Sequence, residues 1–221
     1  TANDFTCIAS LGTDGCGFEQ QLESSLKALW PSVDVDSEGN PLAENRILFL
    51  GPMGKGQLGD GDTDNNGFLR NNAIEGISLI AIILVTDEED CSSADTSHFV
   101  PELYLDPNDP EDAVLLMQDL NLRCFHNPQN LYKVDRYIAG FRALRPGNEN
   151  LVIFAAITGV PPELVSEEAR AMVDFDDEAQ RNKYYDDILN NPRMQEVPDP
   201  TRMEGEGNLT PSCNVPGRGV A

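Results

Sequence analysis

The chain has 221 residues, enough for one domain of ordinary size with an extension, and 40% of them are hydrophobic, which suffices for a folded core. It carries 15 lysines and arginines against 38 aspartates and glutamates, a formal net charge of −23. A surface this acidic repels nucleic acid and anionic membranes, so we expect neither as a partner. The apolar runs are too short to span a bilayer, and no signal peptide is evident at Thr1, so we expect any export signal to have been removed or to lie upstream.

The first predicted element is a helix over residues 18–30. It follows a turn-rich stretch at residues 1–17. Apolar residues recur in it at helical spacing, at Phe18, Leu22, Leu26, Leu29 and Trp30. Acidic residues near its start favour the helix dipole, and the proline that follows ends the helix. We expect Trp30, at the helix end, to lie in the core.

A loop rich in glycine, aspartate and asparagine lies within a mostly irregular stretch over residues 31–72. Upstream of that loop, residues 47–50 are apolar and form either a short strand or part of a short helix. Residues 62–67 match the first half of an EF-hand calcium loop. The candidate ligands are Asp60, Asp62, Asp64 and Asn66. An EF-hand needs glutamate at its twelfth position, where this chain has Ala73, so a flexible loop without calcium is the alternative.

The strongest strand signal is the apolar run at residues 79–85, which a short helix over residues 68–76 is predicted to precede. A run of this kind is typical of a strand buried on both faces in a parallel sheet. It ends at Thr86, and four acids follow at once: Asp87, Glu88, Glu89 and Asp90. Ligands of open α/β sheets bind beyond the carboxyl ends of the strands, and oxygen ligands suit Mg²⁺ or Ca²⁺. A solvated acidic loop is the alternative.

Helix and strand patterns continue through the rest of the chain. The predicted elements are two helices, a second buried strand, an acidic helix and an extended tail, at residues 111–122, 131–144, 151–158, 166–190 and 191–221 in turn. Helix followed by apolar strand occurs twice, which indicates an α/β domain with a parallel sheet. We therefore divide the chain into one domain at residues 1–165 and an acidic helical segment with a tail at residues 166–221.

The chain contains five cysteines, Cys7, Cys16, Cys91, Cys124 and Cys213. None forms a C-x-x-C pair, which argues against a zinc ribbon or a thioredoxin-type site. Their spacing predicts two disulfides, Cys7–Cys16 and Cys91–Cys124, and hence an oxidising compartment. Cys213 then needs a partner outside the chain. Buried free thiols in a cytosolic protein are the alternative.

Two segments together resemble the metal-ion-dependent adhesion site of von Willebrand factor type A (vWA) domains. One is LGTDG at residues 11–15, directly before the first helix, and the other is VTD at residues 85–87. The longer phrases FTCIASLGTDGCGFEQQLESSLKAL and FLRNNAIEGISLIAIILVTDEEDCS resemble a bacterial subgroup of secreted or surface-anchored vWA proteins, often lipoproteins. The likeness runs from about Phe5 to Pro162. It implies a vWA-like (Rossmann-like) fold, a central, mostly parallel sheet flanked by helices.

By this resemblance, Thr13 and Asp87 are ligands of a Mg²⁺ or Mn²⁺ ion. Glu88 and Asp90 are candidate ligands of a second cation such as Ca²⁺, and contacts with solvent or with a helix end are the alternative. The family's Asp-x-Ser-x-Ser loop, which supplies three further ligands, does not occur in this sequence. We expect that loop and the first strand on an upstream segment or on a second chain, and the unpaired Cys213 fits such a missing piece. An incomplete metal site is the alternative.

The resemblance implies a non-enzymatic adhesion or protein-interaction domain outside the cytoplasm, either secreted, periplasmic or on the outer surface. The bound ion would keep one position open for a carboxylate from a protein ligand. No nucleophile and base pair is evident, and His98 and His126 are expected on surface loops. Two alternatives remain, a calcium-stabilised structural component of a surface assembly and a Mg²⁺-dependent phosphohydrolase. A phosphohydrolase of the haloacid dehalogenase type calls for Asp-x-Asp after the strand, where this chain has Asp87-x-x-Asp90.

Overall fold

The computed structural model describes residues 18–32, 47–51, 56–61, 69, 71–72, 76–86, 89–201, 207, 209–210, 214–215 and 219–220. Its α-helices are α1 Gln21–Leu29, α2 Pro110–Leu116, α3 Arg123–His126, α4 Val134–Ala143, α5 Glu167–Ala171 and α6 Glu178–Leu189. Its strands are β1 Phe49–Leu50, β2 Gly56–Gln57, β3 Asn71–Asn72, β4 Gly76–Ile77, β5 Ile80–Val85, β6 Val152–Ile157, β7 Asn214–Val215 and β8 Gly219–Val220. Short 3₁₀ helices lie at Thr96–Phe99, Glu102–Tyr104, Leu120–Leu122, Pro128–Asn130, Glu149–Leu151, Pro162–Leu164 and Pro192–Met194.

The longest strands, β5 and β6, pair in parallel, from Ile80 opposite Val152 to Val85 opposite Ile157. The chain between them contains α2, α3 and α4, so the connection is the long crossover that a parallel pair requires. Helix and strand are thus mixed around a small parallel sheet, and the predicted α/β class is confirmed at this level. The remaining pairs, β1–β2, β3–β4 and β7–β8, are two-residue antiparallel ladders.

The hydrophobic core lies between α1, α4 and one face of the parallel sheet. Its buried members are Leu26, Trp30, Phe49, Ile80, Ile82, Tyr137, Phe141 and Leu144. The prediction that Trp30 is a core residue is therefore confirmed. The two helices come close at Gly140, where a Cβ atom would lie 2.7 Å from Cδ2 of Leu26. Such a contact forces side chains to move, so a glycine at this position permits the close packing of α4 on α1.

The second face of the parallel sheet is exposed, against the prediction that both strands are buried on both faces. The exposed fractions of Ile83, Val85 and Ile157 are 60%, 73% and 63%. Burial along β5 alternates because Ile80 and Ile82 face the core while the residues between them do not. Within the part of the chain that the structure describes, β5 and β6 pair only with each other. The unbroken apolar run therefore predicted the strand correctly but not the burial of both of its faces.

The predicted short helix over residues 68–76 is wrong. Asn71–Asn72 and Gly76–Ile77 instead form an antiparallel pair, with Asn71 opposite Ile77. Gly76 has a φ of +83°, a left-handed conformation that glycine adopts without the steric cost of a Cβ atom. A residue with this backbone conformation cannot belong to a right-handed helix, so no such helix extends through Gly76.

The predicted acidic helix over residues 166–190 is split into α5 and α6. Each begins with its own cap: the Ser166 hydroxyl accepts a hydrogen bond from the N–H of Ala169, and the Asp177 carboxylate accepts one from Gln180. The Tyr184 hydroxyl donates to the carbonyl of Leu164 over 3.0 Å, which ties α6 to the segment before α5. Among the described residues, no helix is both long and apolar enough to cross a bilayer.

Candidate functional site

The amino-terminal end of α1 lies at the carboxyl end of β5. The Gln21 side chain donates a hydrogen bond from Nε2 to Oγ1 of Thr86 over 2.8 Å. Thr86 directly follows the last residue of β5, and its N–H donates to the carbonyl of Ile157 at the end of β6. The start of the helix and the ends of both parallel strands therefore meet at one edge of the sheet, the edge at which α/β proteins bind ligands.

Asp90 caps α1 from the loop after β5. One of its carboxylate oxygens accepts the backbone N–H of Leu22 over 2.8 Å, and the other accepts that of Ser92 over 3.1 Å. The residue before the helix, Gln20, provides no side-chain cap of its own. A carboxylate at this position satisfies a free N–H group and favours the helix dipole. Asp90 was predicted to bind a cation or else to contact solvent or a helix end. Its contacts in the structure are those of a helix cap.

Asp60, the first of the candidate calcium ligands, is exposed and pairs with Lys27 on α1. Its backbone N–H also donates to the carbonyl of Lys27 over 2.8 Å. The lysine ammonium neutralises the carboxylate, which makes the side chain a weaker candidate for a cation ligand. The remaining predicted metal ligands lie outside the described residues: Thr13, Asp62, Asp64, Asn66, Asp87 and Glu88.

Cys91 and Cys124 form a disulfide, the pair predicted from their spacing, with their Cα atoms 5.7 Å apart. It joins the loop after β5 to α3, and both side chains are buried. The N–H of Cys91 donates to the carbonyl of Glu19 over 2.7 Å, so the disulfide also lies near the start of α1. The other predicted pair, Cys7–Cys16, and the unpaired Cys213 lie outside the described residues.

His98 is completely buried, so the prediction that it lies on a surface loop is wrong. Its Nδ1 lies 3.1 Å from Oγ of Ser93 and 3.8 Å from Sγ of Cys124. The Asp95 carboxylate accepts the N–H of Ser97 and so begins the 3₁₀ helix that carries His98 inward. His126, by contrast, is exposed as expected, but it ends α3 and does not lie in a loop. His98 lies in a polar segment without a repeat of apolar residues, and only such a repeat would have indicated burial. Sequence reasoning therefore missed His98.

The three buried side chains of Cys91, His98 and Cys124 form a cluster in which their ligand atoms lie within 4.8 Å of one another. The hydroxyl of Ser93 next to His98 is also buried, with no exposed surface. A serine beside a histidine is the arrangement of a hydrolytic nucleophile and its base. The complete burial of both side chains closes this pair to a substrate in the present conformation.

Burial lowers the pKa of His98, and the positive charge of Arg123 lowers it further, while the carboxylate of Asp95 raises it. A lowered folded-state pKa means that the unfolded chain takes up this proton first as the pH falls below about 6.5. The contribution of His98 to stability is therefore complete above that pH and is lost on acidification towards the folded-state pKa.

We expect the free energy of unfolding to fall between about pH 7 and pH 5.5, by no more than about 1.4 kcal/mol per pH unit from this group. Urea unfolding of wild type and of His98→Gln across this range measures the effect. The variant loses this part of the slope, whereas His126→Gln, at the exposed histidine, keeps it. Equal slopes for all three proteins would contradict the assignment.

A comparison of the chain with models of protein families, with curated proteins and with solved structures found no match in any of the three.

Proposed function

We propose that this chain is the later part of a vWA-like domain that binds a protein ligand through a divalent metal ion, without catalysis. The observation that carries the proposal is the hydrogen bond from Gln21 at the start of α1 to Thr86 at the end of β5. In the family that the sequence resembles, a loop before this helix and an aspartate after this strand supply metal ligands. In the sequence, Thr13 lies eight residues before Gln21, and Asp87 directly follows Thr86.

The chemistry of such a site fits the composition of the chain. With a threonine hydroxyl and one carboxylate as its ligands from this chain, a Mg²⁺ or Mn²⁺ ion keeps a net positive charge and stays electrophilic. It then favours a further anionic oxygen, which a carboxylate of the protein ligand supplies. The formal net charge of −23 attracts divalent cations to the surface before they reach the site.

The exposed face of the parallel sheet supports the part of the proposal that concerns a missing segment, because elements of that segment would cover this face. Parallel sheets are usually covered on both faces, because their crossover connections place helices there. Here Ile83, Val85 and Ile157 are exposed side by side on two neighbouring strands. In the proposed domain, an upstream segment or a second chain supplies further strands and the Asp-x-Ser-x-Ser loop. The Cys91–Cys124 disulfide supports a location outside the cytoplasm, where disulfides persist.

Binding of Mn²⁺ tests the metal site without knowledge of the protein ligand. Water-proton relaxation or electron paramagnetic resonance reports the bound ion directly. We expect Asp87→Ala to weaken Mn²⁺ binding by about tenfold or more, since loss of groups that merely orient metal ligands already has effects of this size. Thr13→Ala should act in the same direction.

The matched control is Asp187→Ala, which removes an exposed carboxylate of α6 that pairs with Lys183. It should leave Mn²⁺ binding unchanged, because this carboxylate is exposed and pairs with Lys183 within α6. Wild-type affinity in Asp87→Ala, or equal losses in both variants, would show that Mn²⁺ binds only to the general negative surface. The test uses the domain together with the segment that supplies the Asp-x-Ser-x-Ser loop, and a wild-type domain of this composition that binds no Mn²⁺ would also contradict the proposal.

A further inference from the structure

We infer that Cys91, His98 and Cys124 form a zinc site when the disulfide between the two cysteines is reduced. This inference is independent of the proposed function, because it concerns different side chains and a different kind of metal ligand. The three residues come from the loop after β5, from the Thr96–Phe99 3₁₀ helix and from α3. The fold therefore brings them together from three separate parts of the chain.

The distances are close to those that a zinc ion requires. Tetrahedral zinc lies about 2.3 Å from thiolate sulfur and about 2.1 Å from imidazole nitrogen, which places sulfur and nitrogen about 3.6 Å apart. Sγ of Cys124 and Nδ1 of His98 are 3.8 Å apart in the present structure. Once the disulfide is reduced, the two sulfur atoms need to separate to about 3.8 Å, the distance between two ligands of one zinc ion. Side-chain rotation supplies such a displacement.

The imidazole of His98 has bonding capacity to spare. Its Nε2 is buried and has no hydrogen-bond partner among the described residues. Besides Sγ of Cys124, its Nδ1 contacts the hydroxyl of Ser93, which has two other acceptors, the carbonyls of Asp95 at 3.0 Å and Asn130 at 3.2 Å. Ser93 therefore keeps hydrogen bonds if Nδ1 turns its lone pair towards a metal ion.

Neighbouring hydrogen bonds hold the histidine in position, as metal sites require of the groups around the ligands. The N–H of Asp95 donates to Oγ of Ser93 over 3.1 Å, and the Asp95 carboxylate caps the 3₁₀ helix of His98. The guanidinium of Arg123 donates to the carbonyls of Val100 and His98, on either side of Phe99. The backbone that carries His98 is thus fixed from both ends.

Charge and ligand type select the ion. Thiolate and imidazole are ligands of zinc, whereas Mg²⁺ and Ca²⁺ prefer oxygen. Two thiolates and a neutral imidazole carry two negative charges, so a Zn²⁺ ion makes the complex neutral. The exposed fractions of Cys91, His98 and Cys124 are 1%, 0% and 2%, and a neutral complex avoids the cost of a net buried charge. The fourth position of a tetrahedral ion would hold water.

Zinc and the disulfide exclude each other. Reduction by a dithiol transfers two electrons and two protons to the Cys91–Cys124 disulfide and leaves two thiols, while the dithiol becomes a disulfide itself. Zinc then binds the two sulfur atoms and releases both thiol protons to water. The same pair of cysteines therefore provides a cross-link under oxidising conditions and a metal site under reducing conditions.

The test uses the chain with Cys7, Cys16 and Cys213 replaced by serine, so that only this pair of cysteines remains. After reduction and removal of the reductant, Co²⁺ is added as a spectroscopic substitute for Zn²⁺. We expect thiolate-to-cobalt charge-transfer absorption, saturating at one ion per chain and abolished by added Zn²⁺. His98→Gln should weaken Co²⁺ binding by about tenfold or more, and His126→Gln should not change it.

If the three serine replacements unfold the chain, circular dichroism detects the loss of structure. The same comparison is then made in the chain with all five cysteines. There Cys124→Ser should lower the zinc content of the reduced protein by one ion, and Cys213→Ser should not. Equal Co²⁺ absorption in the two histidine variants would overturn the inference, as would zinc content that does not depend on Cys124. Asp87→Ala should leave this site intact, which separates its failure from that of the proposed function.

Discussion

Replacement of Arg136 by methionine is expected to lower the free energy of unfolding by about 3 kcal/mol, the lower end of the range for breaking a buried ion pair from one side, because Glu23 is buried and Arg136 is partly exposed. Arg136 on α4 donates from Nη2 and Nε to both carboxylate oxygens of Glu23 on α1, over 2.8 and 3.1 Å. It also donates to the carbonyl of Leu48 over 2.7 Å. Its guanidinium carbon lies 4.0 Å from the ring centre of Tyr132 and 5.2 Å from that of Phe49.

The large effect follows from what the substitution leaves behind. Glu23 is buried, so without Arg136 its carboxylate loses the partner that offsets the cost of its burial. Urea unfolding at neutral pH measures the loss. The double variant Glu23→Met, Arg136→Met should recover part of it, because no unpaired charge remains.

The control is Lys183→Met, which breaks an exposed ion pair with Asp187 one helical turn away on α6. Exposed pairs of this kind contribute about 0.3–0.5 kcal/mol. A loss below about 1 kcal/mol in Arg136→Met, similar to the control, would show that the α1–α4 ion pair does not stabilise the fold.

Removal of the Cys91–Cys124 disulfide is expected to cost about 3–4 kcal/mol. The two cysteines are 33 residues apart, and closing a loop of that length lowers the entropy of the unfolded chain by an amount of this size. The variant is Cys91→Ala, Cys124→Ala, since alanine leaves no unpaired hydroxyl at two buried positions. The small cavities left by the sulfur atoms add to the loss.

Urea unfolding of the oxidised wild type and of the double alanine variant measures this difference. Wild type reduced in the presence of a chelator should resemble the variant, and Zn²⁺ should restore stability to the reduced wild type but not to the variant. A difference below about 1 kcal/mol between oxidised wild type and the variant would contradict the stabilising role of the disulfide. Zinc protection of both proteins alike would instead locate the bound zinc elsewhere.

Local patterns in the sequence were sufficient for several features of the fold. Apolar spacing predicted α1 and α4, and short apolar runs predicted β5 and β6, because each signal depends only on the repeat of the element itself. The helices between the two strands then favoured parallel pairing, which the structure has. The spacing of the cysteines also predicted the pair Cys91–Cys124.

Contacts between distant segments were beyond those patterns. Asp90 caps the helix at Leu22, 68 residues away, and Arg136 pairs with Glu23, 113 residues away. Nothing in the local repeat distinguishes these charged residues from the many that face solvent. The same limit explains the error at His98, whose burial depends on the packing of α3 and the loop after β5 around it.

The sequence alone thus determined the positions of α1, α4, β5 and β6, the mixed α/β class and the strongly acidic surface, since these follow from composition and short-range periodicity. Only the tertiary structure decided that the start of α1 meets the end of β5, that one face of the sheet stays exposed, and that His98 lies beside the two cysteines. The physical reason is that each of these arrangements depends on which surfaces pack together. Packing is set by the shapes and charges of many residues at once rather than by the pattern within any one element.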